Sequence, residues 1–120
     1  MPQQYTLRLP YPPSVNTMWN TQHGHRVLSK KGRLYRQEAA TLCLLAQLPR
    51  PLLLPVRIRV DMCAPDRRRR DLDNIFKAVG DALQDAAALA NDADIDELHI
   101  VRGPVDRPYG HLVLTITAGV

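Results

Sequence analysis

Between residues 56 and 83 the apolar positions of this chain change period, and they do so across a short stretch of concentrated charge. Val56, Ile58, Val60 and Met62 alternate with Arg57, Arg59 and Asp61, the pattern of a strand buried on one face. Phe76, Val79 and Leu83, with Leu72 and Ile75 beside them, recur at a spacing near 3.6, which predicts a helix over about 74–89. The two patterns meet at Pro65 and the run DRRRRDLDN, residues 66–74. A strand followed at once by a helix points to a fold in which helices cover a sheet, with the charged run as the connector.

The remaining segments agree with that class. Tyr5, Leu7 and Leu9 form a short alternating strand that Pro10, Pro12 and Pro13 stop. A polar stretch from about residue 14 to 29 reads as a long loop, and Ser29 as the N-cap of a helix carrying Leu34, Leu42, Leu45 and Leu48, ended by Pro49 and Pro51. Leu98 and Ile100 mark a third strand and Leu112, Leu114 and Ile116 a fourth; residues 103–110 between them read as the wide tip of a hairpin. The expected order is β-α-β-α-β-β, a mixed sheet flanked by helices. At 120 residues it forms one α/β domain, 1–120. Cys43 and Cys63 follow no metal or disulfide spacing and read as reduced and buried. No apolar run approaches the ~18 residues of a membrane span, and no basic start leads into an apolar stretch, so the cytoplasm is the default location.

Charge is distributed unevenly. Sixteen Lys and Arg stand against twelve Asp and Glu, a net +4 that Arg67, Arg68, Arg69 and Arg70 supply entirely; without them the charges balance. Basicity so concentrated suits a polyanionic ligand, which a local positive potential attracts. Salt bridging is a poor reason for the acids on either side, because exposed pairs contribute only about 0–1 kcal/mol.

Asp71 and Asp73 are two residues apart. In a helix they would point about 200° apart, whereas in extended chain they share a face, so they can chelate one ion only if they precede the helix. The two periodicities place them there, in a connector leaving the carboxyl end of a strand, a common position for sites in open sheets. With Asn74 close by they are hard oxygen donors of the kind Mg²⁺ takes, and Lys77, one turn on, can reach the same mouth. That set suits metal-assisted phosphodiester hydrolysis. Asp92 follows the same helix, about 24 Å away if that helix has sixteen residues, so it joins the site only if the chain doubles back or a second subunit supplies it.

Each residue also has a purely structural reading. Asp73 could cap the helix, Asp71 could pair with Arg69 or Arg70, Lys77 could be the i+4 partner of Asp73, and the arginines could be a general nucleic-acid patch. His23 and His25 flank a glycine without acidic or cysteine companions and read as loop residues. His99 and His111 fall in strands and read as packed or surface side chains, and with few aromatics in the chain Trp19 and Tyr11 give weak support to a base-stacking platform.

The stretch PDRRRRDLDN with Lys77 closely resembles the signature of RusA-type Holliday junction resolvases, and LPYPPSVN and SKKGRLYR are similar to that family's first turn and first helix start. The resemblance implies a Mg²⁺-dependent, homodimeric endonuclease, with Mn²⁺ as a possible substitute, that nicks four-way DNA junctions symmetrically. It assigns Asp71, Asp73 and Asp92 to the metal, Lys77 to catalysis and Arg70 to DNA. Asn91-Asp92 stands where the family has paired acids, with Asp94, Asp96 and Glu97 following, and Arg102 stands where it tends to have a lysine. Lys30, Lys31 and Arg33, with Arg26, would extend the basic surface along the junction arms. The rival readings are a non-catalytic nucleic-acid-binding module and a Mg²⁺-dependent nuclease for other branched or duplex DNA.

Overall fold

A computed structural model describes all 120 residues, and it places the chain's most regular alternation inside a sheet. In chain order the elements are β1 (Gln3–Pro10), α1 (Val15–Met18), β2 (Trp19–Gln22), β3 (His25–Leu28), α2 (Lys30–Leu45), β4 (Val56–Cys63), α3 (Asp73–Asp85), a single 3₁₀ turn (Asp92–Asp94), β5 (Ile95–Arg102) and β6 (His111–Ala118). The main sheet is ordered β1-β6-β4-β5, with β4 parallel to β5 and antiparallel to β6. Val60 therefore lies between Leu114 and Ile100.

The inward positions of β1, β4 and β6 share one core with Tyr35, Ala39 and Cys43 of α2 and with Ile75, Val79 and Leu83 of α3. Both cysteines are buried and unpaired, and burial pushes the Cys43 thiol up to about 11. No helix is long and apolar enough to cross a membrane.

Several expectations need correction. The third and fourth predicted strands do not form a hairpin: β4 stands between β5 and β6 and pairs with both. An alternating strand with two hydrogen-bonding edges is better satisfied in the interior, and residues 103–110 pass over its end to make that possible. The polar stretch at 14–29 is not all loop. It holds α1 and a β2–β3 hairpin whose two-residue turn is His23-Gly24, both at positive φ, as such turns require.

Ser29 does cap α2, its hydroxyl accepting from the Gly32 amide at 3.0 Å. The buried stripe of that helix, however, is Gly32, Tyr35, Ala39 and Cys43, while Leu34 and Leu45 are exposed. Small residues face inward because the helix comes close: a β-carbon at Gly32 would stand 2.5 Å from the Met18 carbonyl oxygen. Finally, α3 stops at Asp85 rather than near 89. Ala87 adopts φ 60°, and the Ala88 and Leu89 amides fold back onto the Leu83 carbonyl, so the chain reverses without glycine or proline to announce it.

The β5–β6 loop fixes the start of the charged connector. The Gly103 amide donates to the Met62 carbonyl and the Asp106 amide to the Ala64 carbonyl, both at 2.8 Å. Asp106 also accepts from His111 at 2.7 Å, giving that histidine a partner invisible in the sequence. At the loop's end Gly110 has φ 72°, and a β-carbon there would meet the Cys63 carbonyl oxygen and the Pro65 nitrogen at 2.8 Å. Gly110→Ala is therefore expected to destabilise the protein by about 2–4 kcal/mol, through left-handed backbone strain and overpacking against main chain. Urea titration measures this, and a loss below about 0.5 kcal/mol would contradict the fit described.

Candidate active site

Asp66 organises the arginine run. Its carboxylate accepts from the Arg70 guanidinium at 2.5 Å and from the Arg68 amide at 3.0 Å, and it lies 3.5 Å from the Arg68 guanidinium. Arg70 in turn stacks over the Tyr11 ring, 5.5 Å from its centroid, and Arg102 of β5 donates to the Arg70 carbonyl at 2.8 Å. Burial raises the Tyr11 hydroxyl pKa, opposed by Arg70 and Arg102. The connector is thus held at both its side chains and its backbone, and Arg67 and Arg69 have no acidic partner.

Asp71 and Asp73 also lack hydrogen-bond or ion-pair partners, and both are exposed. Two structural alternatives for them are thereby answered. Leu72, not Asp73, occupies the N-cap of α3, and no side chain caps that end. Asp71 does not pair with the arginines, because Asp66 has taken Arg70 in an i,i+4 contact. Leu72 packs on the core, but its backbone is helical, with φ −72° and ψ −21°, and Asp73 is the first residue of α3, so the extended connector expected through residue 73 ends at Asp71. Lys77 pairs with Asp81 at 3.6 Å rather than with Asp73, and most of its side chain remains in solvent.

Asp92 is nearer than the helix length suggested. After α3 the chain doubles back, and a β-carbon placed on Gly80 would lie 3.3 Å from the Asp92 Cβ. Asp73, Lys77 and residue 80 fall at i, i+4 and i+7, along one stripe of the helix. Asp92 therefore stands beside the same stripe, about 10 Å of helix rise from Asp73. Within one chain no group of three or more His, Cys, Asp or Glu side chains is close enough to hold a metal ion.

Two depressions meet at this point. One, of about 470 Å³, is lined by the four arginines, Asp71 and Arg102. Its neighbour, of about 390 Å³, shares Arg69, Arg70 and Asp71 but is otherwise walled by residues that include Tyr11, Pro12, Pro13, Asn74 and Tyr109. Lys31 lines a further hollow that also touches Tyr11 and Tyr109, placing that basic residue of α2 beside the site. Arg33 is partly spent on the Leu28 carbonyl, Arg26 stacks on Trp19, and Lys30 is exposed at the helix start. His23 and His25 belong to the β2–β3 hairpin, and His99 is an exposed residue of the edge strand β5. Sequence reasoning overlooked Asp66, Tyr109 and the support from Arg102; only the i,i+4 spacing of Asp66 and Arg70 carried a signal.

The Arg70 guanidinium, and after it the Arg68 amide, hold the Asp66 carboxyl well below the usual carboxylate range. A lowered folded-state pKa contributes stability that is complete above the unfolded value, about 3.9, and disappears as pH falls below it toward the folded value. Wild type is therefore expected to melt above Asp66→Asn at pH 7, with the gap closing progressively below about pH 4. Thermal unfolding of both proteins from pH 7 to 2 measures it; a gap independent of pH would contradict the assignment.

The sequence matches the family described as Endodeoxyribonuclease RusA over residues 10–116. It is 42% identical over 113 residues to the crossover junction endodeoxyribonuclease RusA of Escherichia coli K12, spanning 94% of this chain and 93% of that protein. The proteins of that name from Shigella sonnei Ss046 and Enterobacteria phage 82 are each 41% identical over the same shares. The matched region contains the connector, both unpartnered acids, α3 and Asp92, and the chain belongs to the RusA family of endodeoxyribonucleases.

Proposed function

We propose that this protein is a Mg²⁺-dependent, structure-selective endodeoxyribonuclease that resolves four-way DNA junctions by paired symmetric nicks, in DNA recombination and repair. The observation that carries the reading is the position of Asp71, an unpartnered carboxylate at the boundary of an arginine-lined groove. An acid beside four arginines repels a phosphate unless a cation neutralises it, so the arrangement suits a ligand and an ion together. The names of the relatives, crossover junction endodeoxyribonucleases, support the substrate class.

The residues fit such an ion. Asp71 and Asp73 are ionisable oxygen donors free of competing cations, and Mg²⁺ is commonly held by one or two carboxylates with waters and a substrate phosphate filling the remaining positions. In this reading Asp71 and Asp73 hold the cation and Asp92, standing along the same helix stripe, is the third acid. The cation, when bound, supplies Lewis-acid polarisation of the scissile phosphate and the attacking water. Lys77, whose side chain is mostly in solvent and whose only partner is Asp81 at 3.6 Å, can place its ammonium against the phosphate or the leaving oxygen. Arg67, Arg68, Arg69 and Arg70, with Lys30, Lys31 and Arg33, bind the DNA backbone, the first group directly at the groove and the second along the arms.

A homodimer suits the substrate, since an isologous pair presents two identical sites to a two-fold symmetric junction. Exposed Leu44, Leu45, Leu53 and Leu54 supply apolar surface of the kind subunit contacts bury. The cytoplasm, where chromosomal or phage DNA is processed, is the proposed location.

Asp71→Asn and Asp73→Asn are each expected to lower Mg²⁺-dependent nicking of a synthetic four-way junction by about a hundredfold or more. Junction binding without metal should be retained or tighter, because a charge that repels phosphate has been removed. Cleavage assays and gel shifts on the same preparations measure both. Normal cutting by either variant would refute the ligand assignment, and wild-type binding without metal-dependent nicks would favour a non-catalytic binding module.

A further inference from the structure

The two depressions that share Arg69, Arg70 and Asp71 differ in chemistry. The larger has no apolar residue in its lining and suits a sugar-phosphate backbone. The smaller, about 390 Å³ and within the usual size of ligand sites, includes Tyr11, three prolines, Ile75 and Tyr109 in its walls. Tyr109, 84% exposed, stands at its rim. The loop that carries it is nonetheless firmly placed: Gly110 is wedged against Cys63 and Pro65, and Asp106 is tied to His111 and to the Ala64 carbonyl. An aromatic ring in solvent on a well-fixed loop, beside a cationic groove, is a ready surface for stacking.

We propose that this smaller depression receives one unstacked nucleobase from the DNA strand whose phosphate lies at Asp71, with Tyr109 stacking on its face. The inference rests on the nuclease reading above and deepens it. Tyr11 is unsuited to the stacking role, because the Arg70 guanidinium already covers its ring; it serves as wall. The Asn74 amide lines the depression without a hydrogen bond in the chain, and it offers a donor and an acceptor to a base edge. Extracting a base from continuous duplex costs a few kcal/mol, and less where stacking is already interrupted, as at a crossover. A single phosphate contact is the same on branched and linear DNA, so a base in this depression would add discrimination within one site that the arginines do not.

The test compares wild type, Tyr109→Ala and Tyr109→Phe for binding to a four-way junction and to a linear duplex of the same sequence, without divalent metal. Tyr109→Ala is expected to weaken junction binding about tenfold, the scale of one lost aromatic-base stack, with duplex affinity unchanged, while Tyr109→Phe keeps the wild-type ratio. In parallel, 5-iodouracil placed at each position flanking the crossover is expected to photo-cross-link to Tyr109 from one position and not from the paired arms. An unchanged junction-to-duplex ratio in Tyr109→Ala, or cross-links confined to other residues, would overturn the proposal. If wild type nicks junctions with Mg²⁺ while either of those results holds, only the base site fails; if wild type neither binds nor nicks junctions, the nuclease reading fails with it.

Discussion

Asp66 takes up two of the four arginines, and the character of the site follows from that one contact. Its carboxylate is bound by the Arg70 guanidinium and the Arg68 amide, so the acid that precedes the run is neutralised within the connector itself. The next two acids along, Asp71 and Asp73, are left without cations although four guanidinium groups lie within a few residues. Local pairing therefore divides the carboxylates by role: one is structural, and two face solvent, Asp71 of them at the edge of a positive groove. Had Asp71 been the partner of Arg70, the connector would be a self-satisfied surface loop with little electrostatic capacity for a cation or a phosphate.

The sheet supplies the rigidity that this division needs. Because β4 is paired on both edges, the point at which the connector leaves it is fixed, and the β5–β6 loop crosses that end and clamps residues 62–65 through backbone hydrogen bonds. Arg102, at the last position of β5, holds the connector again at the Arg70 carbonyl. The return of the chain after α3 brings Asp92 against Gly80, so a residue remote in sequence stands beside the helix stripe that Asp73 begins. Strand, connector, helix and returning turn thus bring Asp92 beside the helix that Asp73 begins, with Asp71 in the connector before it.

The parts of this arrangement that depend on local period were legible in the sequence. The alternation at Val56–Met62 located β4, Ser29 located the start of α2, and the change of period located the connector with Asp71 in it, but Asp73 is the first residue of α3 rather than the last before it. What depends on spatial neighbours was not. Nothing local says that β4 will separate β5 from β6, since a wide-tipped hairpin satisfies the same pattern of side chains. The end of α3 was misplaced because Ala87 turns the chain with a residue that favours helix. The leucines assigned to α2 did not reveal its inward face: Leu42 and Leu48 pack on the core but Leu34 and Leu45 are exposed, and the buried stripe is Gly32, Tyr35, Ala39 and Cys43, with Gly32 set by the close approach of Met18. Tyr109 carried no signal, because its meaning comes from lying across space beside Arg69 and Asp71.

The central claim is that Asp71 and Asp73 stay unpaired in order to share a divalent cation. Anomalous diffraction at the manganese edge, from crystals soaked in Mn²⁺, tests it most directly. The account predicts a peak within bonding distance of carboxylate oxygens from both residues, absent in crystals of the Asp71→Asn protein. Ordered carboxylates with no peak between them, or a peak only at Asp94, Asp96 or Glu97, would contradict it.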